Sequence, residues 1–226
     1  DLLNPPPPDD SSWFHMLFAS SRDVSVVTSC DRECFNLFSF VSAPPESWLS
    51  YAPWQITPAA DLFERIYQVG LSGDAALLGN DRTEQCLHAI RDGSPQPELV
   101  VLIDSCLSRL VGDDIGGAAA RFREQDGLPL VLYDINLVGE PYLAGLAAFW
   151  ESVHAELAGD ASAGRRGRIG LFGVELPPES GIERQLASLG VEVGARLFPR
   201  FSARDVRELA SCALLVTSPW YCTLTM

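Results

Sequence analysis

The stretch Leu99-Val100-Val101-Leu102-Ile103-Asp104-Ser105-Cys106-Leu107-Ser108-Arg109-Leu110-Val111-Gly112-Asp113-Asp114-Ile115 decides the fold. Five consecutive apolar residues, three of them β-branched and two leucine, suit a strand buried on both faces of a parallel sheet rather than an alternating, half-solvated one. The run stops at Asp104, and a polar turn carries a cysteine before a helical pattern begins. A cysteine at the carboxyl end of a strand, entering a helix N-terminus, meets backbone N–H groups and the positive end of the helix dipole. Both favour thiolate over thiol, and hence metal binding.

Similar apolar runs recur on both sides of this stretch. Val24-Ser25-Val26-Val27, Leu130-Val131-Leu132-Tyr133, Ile169-Gly170-Leu171-Phe172 and Leu214-Leu215-Val216 all read as strands. Helical patterns lie between them: Pro58 to Val69 sets Leu62, Ile66 and Val69 on one face, and Thr83 to Ile90 sets Cys86, Leu87 and Ile90 on one face. Ser180-Gly181-Ile182-Glu183 and Ser202-Ala203-Arg204-Asp205 read as capping boxes, and Gly190 after Leu189 as a C-cap. The alternation predicts an α/β protein of Rossmann-like, doubly wound parallel sheets, with ligands at the carboxyl ends of the strands.

The predicted organisation is an extended N-terminal arm over 1–22, rich in Pro, Asp and Ser at its start, then a first Rossmann-like domain over 23–160. A break at 159–167 precedes a strand beginning near Arg168, and 168–226 reads as the first part of a second such domain. The pattern stops as that half-domain finishes, so either the natural protein is expected to continue past Met226 or the chain is a shortened relative.

Composition excludes several function classes. The 226 residues carry 30 acidic and 16 basic side chains, a net charge of -14. The largest basic group is Arg165, Arg166 and Arg168, so nucleic acid is not expected as a partner. No apolar run has the roughly 18 residues of a membrane span, the start lacks the order of a signal peptide, and a cytoplasmic location is expected. No P-loop GxxxxGK[ST] is present, and Gly70, Gly73 and Gly79 do not form GxGxxG. The six cysteines, at 30, 34, 86, 106, 212 and 222, are too scattered for a disulfide scaffold.

Each cysteine has two readings. Cys34 and Cys106 are buried thiols or metal ligands, with ligation favoured by their places after strands; Cys30, in the same Cys-x3-Cys turn as Cys34, is open between the two. Cys86 sits in a helical apolar stripe and reads as packing, as do Cys212 and Cys222. His15, His88 and His154 have no second ligand at metal spacing. Adjacent Asp113 and Asp114 on a helix would point about 100° apart, so they read as carboxylates that favour the helix's first turns, one of them contacting a partner chain, rather than as a catalytic pair. Trp48, Tyr51, Trp54 and Phe63 among prolines read as the wall of a substrate cavity or subunit interface, or as loop packing over the sheet.

The segment from Asp104 to Ile115, with its strand-end cysteine and Val-Gly-Asp-Asp-Ile signature, resembles the nitrogenase molybdenum-iron protein superfamily, the nitrogenase component 1-like oxidoreductases that include the light-independent protochlorophyllide and chlorophyllide reductases. Other pieces follow in that family's order. Ser29-Cys30-Asp31-Arg32-Glu33-Cys34 resembles its early cysteine turn, Val69 through Ile90 the stretch before the second cysteine strand, and Gly170 to Met226 its second-domain opening. The sequence departs from the family pattern in having no cysteine before Cys30, no proline between Cys30 and Cys34, and no downstream region for active-site cofactor ligands. The resemblance implies a reductase subunit binding an iron-sulfur cluster of 4Fe-4S type through Cys34, Cys106 and Cys30 at an interface with a homologous nitrogenase-like subunit. It also implies an iron-protein-like ATPase as electron donor and a small-molecule substrate: dinitrogen, a tetrapyrrole or a sulfur compound. Two other readings stay open, a non-catalytic scaffold for metal-cofactor assembly and a metal-free small-molecule binding module.

Overall fold

The computed structural model describes residues 23–30, 66–70, 81–105, 108, 110, 112–134, 142–158, 164–172, 174, 176, 181–197 and 202–217. The predicted arm, Cys34, Cys106, Cys222, His15 and the aromatic residues between Trp48 and Phe63 lie outside them. Strands β1 (Val24–Cys30), β2 (Ile66–Gly70), β3 (Leu99–Asp104) and β4 (Leu130–Asp134) form a parallel sheet in the order β2-β1-β3-β4. Helix α1 (Asp81–Asp92) leads from β2 to β3, α2 (Ile115–Asp126) from β3 to β4, and α3 (Tyr142–Ala158) follows β4. A second parallel sheet, in the order β6-β5-β7, contains β5 (Arg165–Phe172), β6 (Glu192–Leu197) and β7 (Cys212–Thr217). Helices α4 (Ile182–Ser188) and α5 (Ala203–Leu209) connect its strands. The fold is therefore the expected α/β arrangement of parallel sheets with helical crossovers.

The continuous apolar character of β3 follows from its place between two cores. Leu99, Val101 and Ile103 point to one face, where they join Val24, Val26, Val131 and Tyr133 under Phe149, Val153 and Leu157 of α3. Val100 and Leu102 point to the other, joining Val27, Val69 and Leu130 under Leu87 and Ile90 of α1 and Ile115, Ala119 and Phe122 of α2. The first core also takes in Phe172, Leu197, Ala203 and Val206, so the two sheets share it. Tyr133 and Phe149 meet edge-on at 4.8 Å, a favoured geometry for aromatic pairs. Covering is less complete on the second sheet, where Leu214 and Val216 of β7 are exposed.

Four local readings change. Ile66 and Val69, expected on a helix face, belong to strand β2, because their spacing of three satisfies a helical stripe while the backbone pairs in parallel with β1. Strand β5 starts at Arg165, not near Arg168. The N-cap of α4 is Gly181, left-handed and without a side-chain cap, rather than Ser180. Asp113 and Asp114 are not on a helix: Gly112 takes a left-handed turn (φ +72) and Asp114 is the N-cap of α2. Its Oδ1 accepts the Gly117 N–H at 2.9 Å, and a Cβ on Gly117 would collide with that carboxylate. Asp114→Ala is expected to cost about 1 kcal/mol of stability, seen as a lower urea midpoint; an unchanged midpoint would show that the cap contributes nothing.

The Ser202 box forms as read: Asp205 N–H donates to Ser202 Oγ at 3.2 Å and Ser202 N–H to Asp205 Oδ2 at 2.8 Å. Beside it the Asp23 carboxylate accepts the Ala203 N–H at 2.9 Å, joining the amino end of β1 to α5. Burial pushes the Asp23 carboxyl above its usual range, opposed by the Ala203 N–H and reinforced by Glu98. The folded chain thus holds this proton to higher pH than the unfolded one. The group's contribution to stability is greatest below the ordinary aspartate value, about pH 4, and falls as pH rises through the elevated one. Asp23→Asn is expected to remove that slope in urea unfolding measured across the acidic range; an identical slope in the variant would refute the assignment.

Candidate functional site at the carboxyl edge of the first sheet

In the order β2-β1-β3-β4 the chain moves from β1 to β2 in one direction and then returns past β1 to β3. The crevice between the carboxyl ends of β1 and β3 is therefore the switch point, where ligands bind in open α/β sheets. Register brings Cys30 beside Gly70 on one side, and Thr28 beside Ile103 on the other. The two strand ends thus close on each other within a residue or two of Cys30.

A chain of buried hydroxyls joins them. Ser105 Oγ donates to the Ser29 carbonyl, and Ser108 N–H donates to Ser105 Oγ at 3.3 Å. Ser108 Oγ lies 2.6 Å from both Asp104 Oδ1 and the Ser105 carbonyl. Asp113 closes the network twice, its N–H donating to the Ser108 carbonyl at 2.8 Å and its Oδ2 accepting from Ser29 Oγ at 3.3 Å. Ser29, Ser105 and Ser108 are 0%, 3% and 0% exposed. Buried hydroxyls are costly without partners, so these three hold the two strand ends and the Gly112 turn as one unit.

The edge is acidic. Burial pushes the Asp113 carboxyl upward, the Ser29 hydrogen bond opposes this, and the nearby Asp104 and Asp114 carboxylates add to it. Arg121 bridges Asp114 at 3.5 Å and also pairs with Glu84. The positive φ of Gly112 is what turns the chain so that Asp113 faces Ser29 rather than continuing a helix. A β-branched residue there, as in Gly112→Val, is expected to cost about 1–2 kcal/mol, measured by urea unfolding; a cost near zero would mean the turn adapts freely.

The sequence-derived ligands divide into two sets. The backbone of Cys30 ends β1 at this edge, while Cys34 and Cys106 lie outside the described residues. Cys86 and Cys212 are accounted for as packing groups. Burial pushes the Cys86 thiol up to about 11, and Cys86 packs against the core under α1. Cys212 Sγ lies 3.5 Å from the Glu208 carbonyl at the opposite end of the second sheet, and burial raises its pKa too. Among the described residues, no three His, Cys, Asp or Glu side chains converge as a metal site. The donor chemistry nonetheless fits a sulfur-ligated group, since the two residues tied by the hydroxyl chain, Ser29 and Ser105, are each followed in sequence by a cysteine. The serines were not singled out in the sequence; a Ser-Cys pair closing one strand and another directly following a second was the available signal.

In sequence a cysteine follows directly after Ser29 and after Ser105, the two residues tied across this switch point. The chain belongs to the nitrogenase component 1 type oxidoreductase family, whose model matches residues 16–222. It is similar to the solved structure described as nitrogenase Cp1 at pH 6.5, with 16% identity and a TM-score of 0.66 over 92% of this chain and 40% of that one. It is similar also to nitrogenase Cp1 at pH 5, with 16% identity and a TM-score of 0.67 over 96% of this chain and 43% of that one. At that identity the likeness shows the fold. The chain spans about two fifths of the length of these structures. No curated protein sequence matches it. Among the described residues no helix is long and apolar enough to cross a membrane.

Proposed function

We propose that the chain is a subunit of a nitrogenase-like reductase that holds an iron-sulfur cluster of 4Fe-4S type at an interface with a homologous subunit. The observation that supports this most is the switch-point crevice, where β1 and β3 end side by side, each leading into a cysteine. Cys34 and Cys106 would hold the cluster. Two thiolates do not complete a 4Fe-4S site, so Cys30, an aspartate or the homologous subunit supplies the rest. When bound, such a cluster takes up and releases single electrons at low potential.

The chain's own residues do the remaining work. The Gly112 turn brings Asp113 against Ser29, and the hydroxyl chain keeps Ser29 and Ser105 in fixed register. Residues 23–160 form the cluster-bearing domain in this reading, and 168–226 open a second. The electron donor is an iron-protein-like ATPase, the acceptor a small-molecule substrate and the setting the cytoplasm. The test is anaerobic: the chain is co-purified with its homologous subunit and mixed with the chemically reduced ATPase, freed of excess reductant, and MgATP. Bleaching of a broad visible absorption that requires both the ATPase and ATP is expected. Absorption that does not change, or changes equally without ATP, would overturn the electron-transfer role.

A further inference from the structure

We infer that Asp113 is a positioning residue for the cysteines at the switch point, acting through Ser29 and the Ser105–Ser108 hydroxyl chain, an inference that rests on the cluster-holding reading above. Asp113 grips both sides of the crevice. Its carboxylate receives the Ser29 hydroxyl at 3.3 Å, on the β1 side. Its N–H donates to the Ser108 carbonyl at 2.8 Å, on the side of the segment that follows β3. Ser108 in turn contacts Ser105 through both its N–H and its hydroxyl, and Ser105 donates back across the crevice to the Ser29 carbonyl. The ring closes on itself.

That ring has a consequence for the neighbouring cysteines. Cys30 is one peptide beyond Ser29 and Cys106 one peptide beyond Ser105, so the ring fixes the residue that precedes each of the two cysteines. Asp113 is 84 residues from Ser29 in sequence. Residues that orient ligands without being ligands typically change metal affinity about 10- to 100-fold when removed. The adjacent Asp114 provides an internal comparison, because its side chain caps α2 and pairs with Arg121. One aspartate of the pair thus serves the helix and the other serves the crevice.

The experiment uses the full chain co-expressed anaerobically with the homologous subunit, in wild-type form and as Asp113→Ala, Asp113→Asn, Ser29→Ala and Asp114→Ala. Iron retention is followed during challenge with a ferrous chelator, alongside the visible and low-temperature EPR spectra. Asp113→Ala and Ser29→Ala are expected to lose iron about ten-fold faster than wild type, with altered EPR line shape. Asp113→Asn keeps an acceptor for Ser29 and is expected to restore most of the retention. Asp114→Ala is expected to lower thermal stability with wild-type spectra and retention. If Asp113→Ala fails to fold, Ser29→Ala carries the test, since it removes one hydroxyl from the same contact. Wild-type retention and spectra in both alanine variants would overturn the positioning role while leaving the cluster reading intact. An iron-free wild-type complex would overturn both.

Discussion

Serine at Cys106 or at Cys34 is expected to remove most of the iron and the broad visible absorption from the complex, whereas serine at Cys86 leaves both in place. The contrast follows from the burial of Cys86 and from the place of Ser105 at the switch point. Thiolate, not thiol, binds iron, and a thiolate needs surrounding N–H groups or positive charge. The residue before Cys106 ends at the switch point, and the segment after it leads into the Gly112 turn and α2. Cys86 instead lies along α1 against the apolar core, where burial holds its proton. Cys86→Ser should therefore register only as a change in unfolding midpoint. Full iron loading in both Cys34→Ser and Cys106→Ser, measured with the homologous subunit present, would remove these two residues from the ligand set.

Phe122→Ala is expected to lower the unfolding free energy by about 3–5 kcal/mol. Phe122 is 1% exposed and belongs to the core shared by α1, α2 and the sheet, and its ring stands 5.8 Å from that of His88 on α1. Truncation leaves a cavity between the two helices and the face of β3, a site that cannot collapse without moving an element. Small domains have total stabilities of only about 5–15 kcal/mol, so the loss is a large share of the whole. It should appear as a shift of the urea midpoint at constant slope. A loss below about 1 kcal/mol would mean that α2 is not seated on the sheet as described.

What the sequence revealed depended on how locally each feature was encoded. Strand β3 was legible because both of its faces are buried, which leaves a continuous run of apolar residues. The Ser202 box was legible because both of its hydrogen bonds lie within four residues. Strand β2 was misread because Ile66 and Val69 mimic a helical stripe, and Tyr67 on this edge strand is exposed. Strand β6, Glu192–Leu197, escaped notice as an edge strand interrupted by Glu192, Gly194 and Arg196. The Asp113-Asp114 pair was visible as residues but not as roles, since the left-handed turn at Gly112 delays the helix so that Asp114 becomes its cap while Asp113 stays outside it and faces Ser29. The serine ring was not legible at all: its bonds join residues 76 and 84 positions apart, and no local pattern encodes such a contact. The family resemblance carried by the Cys106 to Ile115 segment holds across residues 16–222.

The central claim, that this switch point holds an iron-sulfur cluster, is tested most directly by iron and acid-labile sulfide analysis of the complex with the homologous subunit after anaerobic purification. The account predicts iron and sulfide in near-equal amounts, bound stoichiometrically and lost together on exposure to air. A colourless complex with neither element, even after reconstitution with ferrous iron and sulfide, would contradict it.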